Sequence, residues 1–110
     1  MKIIKNKYVP VKGYKLINLF GIIFQRNDAK VSDVKYNHEK IHLKQMQEML
    51  FIPFYLWYAV EYAVKRILGI TKLQSQIYYS ISFEKEAYTN QYDLGYCDNR
   101  KKYSWFKYLN

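Results

Sequence analysis

The sequence predicts an α+β fold in which a short N-terminal sheet precedes three main helices and a short C-terminal helix. Three observations support this prediction. Residues 2–11 and 14–25 are rich in β-branched and aromatic residues, apolar residues recur at helical spacing between residues 34 and 92, and no repeat or linker-like stretch divides the chain. The length of 110 residues is that of one small domain, so we expect residues 1–110 to form a single unit.

The first predicted element is a β-hairpin. Lys2–Val11 and Tyr14–Gln25 have the composition of strands, and Lys12 and Gly13 between them favour a turn. Gly21 lies inside the second predicted strand. It marks a bulge or a place of close approach to the backbone, or it is simply a weak point in the strand.

The first predicted helix runs from Val34 to about Ile52. Ser32 and Asp33 are both good N-cap residues for it. Pro53 disfavours helical geometry in the residue before it, so we expect this helix to stop or kink there.

The second predicted helix, Phe54–Leu68, ends at Gly69 and is amphipathic. One side carries polar and aromatic residues, namely Tyr58, Glu61, Tyr62, Lys65 and Arg66. The other side, which we expect to face the core, carries Leu56, Ala59, Val60, Ala63, Val64 and Ile67. A third helix is predicted from about Ser75 to Tyr92, and the tail from Arg100 to Leu109 forms a short final helix.

The composition excludes several classes of protein. Half of the residues are apolar and 19% are aromatic, which rules out a disordered tail. One cysteine and two histidines cannot build a disulfide-stapled fold or a multi-cysteine zinc module. The sequence shows neither a signal peptide nor a run long enough to span a membrane, so we expect a cytoplasmic protein.

The net charge of +9 raises the question of an anionic partner. Lysines and aromatic residues are most densely mixed in the tail. That segment either docks its aromatic residues on the core, anchors the protein at an anionic membrane, or contacts nucleic acid. Nucleic acid is the least favoured partner because no recognition motif is present, whereas peripheral membrane association stays open.

The motif that carries chemistry is His38-Glu39-x-x-His42, which contains the only two histidines of the chain. On a helix, residues four apart share one face, so two imidazoles would converge on one metal ion. Zinc bound by two histidines needs a further protein ligand and, for catalysis, an open position for water. Glu39 would take a proton from that water as general base. The alternative is a pair of ordinary histidines, but two imidazoles on an apolar helix face are costly without partners.

Glu84 is the preferred third ligand. On a helix it shares a face with apolar and aromatic residues, namely Ile77, Ile81 and Tyr88. Glu86 is the alternative third ligand, and it lies on the helix face that carries Ser82, Thr89 and Asp93. The long metzincin pattern is excluded because it requires glycine and histidine where this chain has Gln45 and Glu48, the latter on the outer face of the helix.

These residues resemble the gluzincin branch of zinc metallopeptidases, and in particular the minimal single-domain gluzincins. The match is His38-Glu39-x-x-His42 on one helix and Glu84-x-x-Ala87 on a later helix. The resemblance implies a zincin-like fold and zinc bound by His38, His42 and Glu84. It also implies that Glu39 is the catalytic base and that the substrate is a peptide or a protein.

Tyr88 stands where the gluzincin segment often has aspartate, so another acceptor has to hold the N–H of a ligating histidine. The strand Leu16–Gln25, if it forms an edge above the metal, would bind an extended peptide through its backbone. Cys97 is either a buried core residue or a thiolate that silences the site. We therefore predict a zinc-dependent peptidase acting through a Glu39-activated, zinc-bound water. The alternative is an inactive zincin-like protein that binds metal or a partner. One form of this alternative places the protein at a membrane surface.

Overall fold

A computed structural model describes residues 2–69 and 71–109 of the protein. Within these residues the fold is α+β, as predicted, with a three-stranded sheet followed by five α-helices and one 3-10 helix. The elements are β1 (Lys2–Asn6), β2 (Leu16–Leu19), β3 (Ile22–Arg26), α1 (Asp33–Glu48), α2 (Ile52–Leu68), α3 (Gln74–Ser80), α4 (Ser82–Asn90), α5 (Tyr96–Asn99) and the 3-10 helix Ser104–Tyr108.

The sheet has the strand order β1-β3-β2, with β3 parallel to β1 and antiparallel to β2. The chain does turn at Lys12 and Gly13, where the N–H of Tyr14 donates to the carbonyl of Val11 at 3.2 Å. The predicted hairpin across this turn is nevertheless wrong, because β1 does not pair with β2; the hairpin of this sheet is formed by β2 and β3.

The turn between β2 and β3 lies at Phe20 and Gly21, both with positive φ, which suits the tight turns that match strand twist. The predicted strand Leu16–Gln25 is therefore two strands, and Gly21 lies in the turn between them and not inside a strand. The close approach that was one interpretation of Gly21 is present, because a Cβ atom there would lie 2.4 Å from Cδ1 of Leu43 in α1.

Helix α1 begins with Ser32 as its N-cap and ends at Glu48, four residues earlier than predicted. The helical conformation is interrupted at Leu50 and Phe51, which both have positive φ. Pro53 lies in the first turn of α2, where its missing N–H leaves no hydrogen bond unmade. The proline therefore begins the second helix and does not end the first.

Helix α2 packs on the rest of the molecule with most of its polar and aromatic side, and not with its apolar side. Glu61 is buried in the core, and the hydroxyl of Tyr58 donates to Glu84 on α4. The apolar side that was predicted to face the core is instead exposed, with Leu56 at 63%, Val60 at 63% and Ile67 at 74% of full exposure. The predicted orientation is wrong because the polar side chains of α2 find hydrogen-bonding partners inside the molecule.

The predicted third helix is two helices, α3 and α4, separated by an extended residue at Ile81. The carboxylate of Glu61 accepts hydrogen bonds from the N–H and the hydroxyl of Ser82, both at 2.6 Å. Nζ of Lys65 joins this carboxylate (2.7 Å) to the carbonyl of Ser80 (2.5 Å). These contacts satisfy the backbone groups at the break, which explains why one helix becomes two.

The main core lies where α1, α2, α4 and the C-terminal 3-10 helix meet. Trp105 of the 3-10 helix is 1% exposed and packs against Phe83 and Trp57, with ring centroids 4.7 and 5.1 Å away. The tail thus docks an aromatic residue on the core, as one of the three predicted alternatives has it. Among the described residues, none of the helices combines the length and hydropathy needed to cross a membrane.

Candidate metal centre

His38 and His42 lie side by side on the inner face of α1. Their Nε2 atoms are 3.1 Å apart, and the two rings are 1% and 6% exposed. The four-residue spacing brings the imidazoles together because one helical turn separates them. The two buried Nε2 atoms therefore lie next to each other.

Glu84 of α4 completes this cluster. Its Oε1 lies 3.2 Å from Nε2 of His38 and 2.9 Å from Nε2 of His42. The three side chains are buried, and the ligand atoms they offer all lie within 4.8 Å of one another. The structure thus brings the three predicted metal ligands together, and the phenol of Tyr58 holds the second carboxylate oxygen at 2.9 Å.

The outer nitrogens of the two histidines are held by glutamine side chains. Nδ1 of His38 donates to Oε1 of Gln91 and Nδ1 of His42 donates to Oε1 of Gln45, both at 2.8 Å. The Gln45 amide is oriented by its own donation to the carbonyl of Phe83. Because the Nδ1 atoms carry the shared protons, the Nε2 atoms face the cluster as ligands would. These amides take the role of the acceptor that the sequence analysis found missing at Tyr88.

The charges within the cluster stabilise one another. Burial alone would lower the pKa of His42, but the Glu84 carboxylate outweighs burial and raises it to about 9. Burial alone would raise the pKa of Glu84, but the two histidines outweigh it and lower it well below its ordinary value. Burial and the charge of Glu84 raise the pKa of Tyr58 and Tyr78, which keeps both phenols protonated. Glu84 therefore places a buried, negatively charged oxygen beside the Nε2 atoms of the two histidines, and this oxygen favours a positive charge there.

Glu39 borders the cleft that leads to this cluster. Its Oε2 accepts a hydrogen bond from Nδ2 of Asn18 at 3.2 Å, and its Oε1 lies 3.4 Å from Nζ of Lys35. The cleft has a volume of about 310 Å³ and is lined by Glu39, His42 and Glu84 together with Tyr58, Tyr78 and strand β2. The proposed base, two of the proposed ligands and the edge strand thus share one opening.

Glu86, the alternative third ligand, is fully buried but points away from the cluster. Its carboxylate accepts hydrogen bonds from Arg100 (2.5 Å), Gln45 (3.0 Å) and Tyr96 (2.7 Å). Arg100 also binds both carboxylate oxygens of Glu48. The placement of Glu48 on the outer face of α1 is therefore wrong, because an arginine from the tail covers it.

Cys97 is buried beside Ile41 and Ala87 and lies outside the His38, His42 and Glu84 cluster. Burial raises the pKa of its thiol. These properties are typical of a core cysteine and not of a metal-bound thiolate.

Gln91→Leu is expected to lower the affinity of the His38, His42 and Glu84 cluster for added zinc by about 10- to 100-fold, because His38 would lose the acceptor that orients its ring. Competition with a chromophoric zinc chelator measures this affinity. Gln47→Leu, at an exposed position of α1, is the matched control and is expected to bind as the unchanged protein does. Equal affinities in both variants would contradict an orienting role for Gln91.

No known family model matches this chain, and no curated protein or solved structure matches it either. The likeness to gluzincins consequently depends on the residues of this site alone.

Proposed function

We propose that the protein is a zinc-dependent peptidase with a zincin-like fold. The observation that carries the proposal is the convergence of His38, His42 and Glu84 beside a cleft that His42, Glu84 and Glu39 all line. Metal-assisted hydrolysis of an amide requires imidazole nitrogens and a carboxylate oxygen as ligands, together with a second carboxylate that does not bind the metal.

The donor set fits zinc. Structural zinc sites are usually closed by four protein ligands, whereas catalytic sites use three and keep a position open. Calcium and magnesium prefer oxygen ligands, which makes two imidazoles a poor site for either. The outward N–H groups of His38 and His42 are bonded to amides, which leaves Nε2 as the ligand atom on both rings.

Zinc, when bound to these three residues, would polarise the substrate carbonyl and lower the pKa of a water molecule. Glu39 would accept the proton lost by the attacking water and deliver it to the leaving amine. Asn18 and Lys35 hold the Glu39 carboxylate in place for this transfer. The half-buried, protonated phenol of Tyr58 borders the same cleft and keeps Glu84 oriented.

Strand β2 supports a peptide as the substrate. It is at the edge of the sheet, and Leu16, Ile17 and Asn18 line the cleft. An extended peptide can add to an edge strand through backbone hydrogen bonds, which would bring one of its carbonyls towards the cluster.

The test is zinc analysis combined with a broad peptide-cleavage assay. The purified protein, after chelation and reconstitution, is expected to bind about one zinc ion per chain and to cleave peptides in proportion to its zinc content. Glu84→Gln keeps the shape of the side chain but removes its charge, so both zinc and cleavage are expected to be lost. Asp98→Asn, at an exposed acid outside the site, is the matched control.

The outcomes separate the proposals. Failure of the reconstituted protein to bind zinc would overturn the metal site and the peptidase together. Zinc binding that depends on Glu84, with no cleavage of any peptide, would overturn the peptidase and favour the inactive metal-binding alternative.

A further inference from the structure

The outward side of α2 forms an exposed apolar surface, which we call the α2 face. It consists of Leu56, Trp57, Val60, Val64 and Ile67, together with Phe106 of the 3-10 helix. We propose that the α2 face docks the protein on an anionic phospholipid membrane. This inference is independent of the proposed peptidase function.

The first argument is the continuity of the apolar surface. Leu56, Val60 and Val64 follow one another at four-residue intervals and form a stripe along the helix. They line a groove of about 540 Å³ with Leu109, and the ring centroid of Phe106 lies 6.3 Å from that of Trp57. An apolar stripe on a helix is normally buried, and a contiguous one that is exposed marks an interaction site.

The second argument is the distribution of charge around the α2 face. Residues 49–80 contain a single acidic residue, Glu61, and residues 99–110 contain none. Glu61 lines the groove of the α2 face, but it is buried, and its carboxylate is already paired with Nζ of Lys65 and bonded to the N–H of Ser82. The elements that build this surface therefore carry no exposed carboxylate.

Cations lie at two places along the α2 face. Arg66 and Lys72 are exposed at its C-terminal end, where the guanidinium donates to the carbonyl of Lys72 at 2.9 Å. Lys107 is exposed directly after Phe106. Apolar side chains between exposed cations are the composition of helices that lie in the interface of an anionic bilayer.

The same charges argue against a second copy of the chain as the occupant. A symmetric dimer through the α2 face would bring Arg66, Lys72 and Lys107 of both copies to one interface, with no exposed carboxylate there to pair with them. A bilayer offers phosphate headgroups to the cations and acyl chains to the apolar stripe. Trp57, which is 41% exposed, has the amphipathic ring that favours the membrane interface.

Vesicle sedimentation with the full chain tests the proposal. We expect binding to vesicles of phosphatidylcholine mixed with phosphatidylglycerol, and little binding to phosphatidylcholine alone. Replacing both Val60 and Val64 by glutamine is expected to lower the partition coefficient about tenfold or more. Lys107→Gln is expected to lower it about fivefold, since each basic residue near the surface contributes about 1 kcal/mol.

Matched controls are available elsewhere on the protein. Val11→Gln changes an exposed valine of the N-terminal loop, and Lys5→Gln removes an exposed charge from β1. Both are expected to bind vesicles as the unchanged protein does. Binding should shift the fluorescence of Trp57 to shorter wavelength, and this shift should be absent from Trp57→Phe. Circular dichroism checks that each variant is folded.

Three results would overturn the proposal: no binding to anionic vesicles, equal binding to neutral and anionic vesicles, or equal binding by the Val60 and Val64 double variant. A dimer in solution that the double variant dissociates would also overturn it, because a second copy would then occupy the α2 face.

Discussion

Glu39→Gln is expected to lower kcat for peptide hydrolysis at least about a hundredfold while leaving zinc bound. The Glu39 carboxylate borders the cleft but is not one of the three clustered side chains, so its replacement leaves every proposed ligand in place. A glutamine amide can still accept the hydrogen bond from Asn18 through its oxygen, but it cannot take up a proton from water. Loss of a general base typically costs 10² to 10⁴ in rate, so we expect kcat to fall by about that factor.

Asp98→Asn is the matched control for this experiment. It makes the same carboxylate-to-amide change at an exposed position outside the cleft. Its kcat/KM is therefore expected to match that of the unchanged protein. Zinc content and hydrolysis are measured on the same preparations. Retained hydrolysis in Glu39→Gln, or loss of its zinc, would contradict the assignment of Glu39 as the base.

The histidine pair was the most predictable part of the candidate site because its geometry is local. His38 and His42 are brought together by one turn of one helix, whatever the rest of the chain does. Glu84 was chosen by helical phase, and the break at Ile81 precedes it. The prediction that Glu84 and Tyr88 share a helix face therefore still applies within α4. The prediction that Ile77 shares that face does not, because Ile77 lies in α3 on the other side of the break.

The orientation of α2 could not be predicted in the same way. Periodicity shows which residues share a helix face, but it does not show which face meets the core. That choice depended on partners distant in sequence, namely Ser82 for Glu61 and Glu84 for Tyr58. A polar face can be buried when each of its groups finds such a partner.

The sheet and the outer ligands of the histidines depended on equally distant contacts. Neither strand has a sequence feature that indicates the parallel pairing of β1 with β3. The hairpin was therefore predicted at Gly13, whereas the turn between the paired strands contains Gly21. Gln91 reaches His38 from the end of another helix. A glutamine three residues after His42 was the one local sign of these amide partners, and the sequence analysis considered Gln45 only as a departure from the metzincin pattern.

Arg100→Gln is expected to cause the largest loss of stability among the changes considered. The Arg100 side chain is 3% exposed and lies between the carboxylates of Glu48 and Glu86, which are 4% and 0% exposed. Its four hydrogen bonds to them measure 2.5 to 3.0 Å. Removing one member of a buried ionic group costs about 3–5 kcal/mol, because the remaining charges are left desolvated and unpaired.

The size of this loss should depend on pH. Burial alone would raise the pKa of Glu86, but Arg100, Gln45 and Tyr96 more than offset burial and lower it below 4.5. In the unchanged protein, the contribution of Glu86 to stability is present above pH 4.5 and is lost as the pH falls through the lowered pKa. Without Arg100, burial is opposed by fewer partners and the pKa of Glu86 rises. As the pH falls, protonation of Glu86 removes the unpaired charge from the variant. The difference in free energy of unfolding between the variant and the unchanged protein therefore becomes smaller in acid.

Urea unfolding followed by circular dichroism, at neutral pH and at about pH 4, measures the free energy of unfolding of both proteins. Lys101→Gln removes the same charge at the exposed neighbouring position and is expected to change stability by about 0.5 kcal/mol or less. Because Gln45 connects Glu86 to His42, Arg100→Gln should also weaken zinc binding, whereas Lys101→Gln should not. A deficit that is the same at both pH values would mean that Arg100 stabilises the fold through packing of its side chain and not through the two carboxylates.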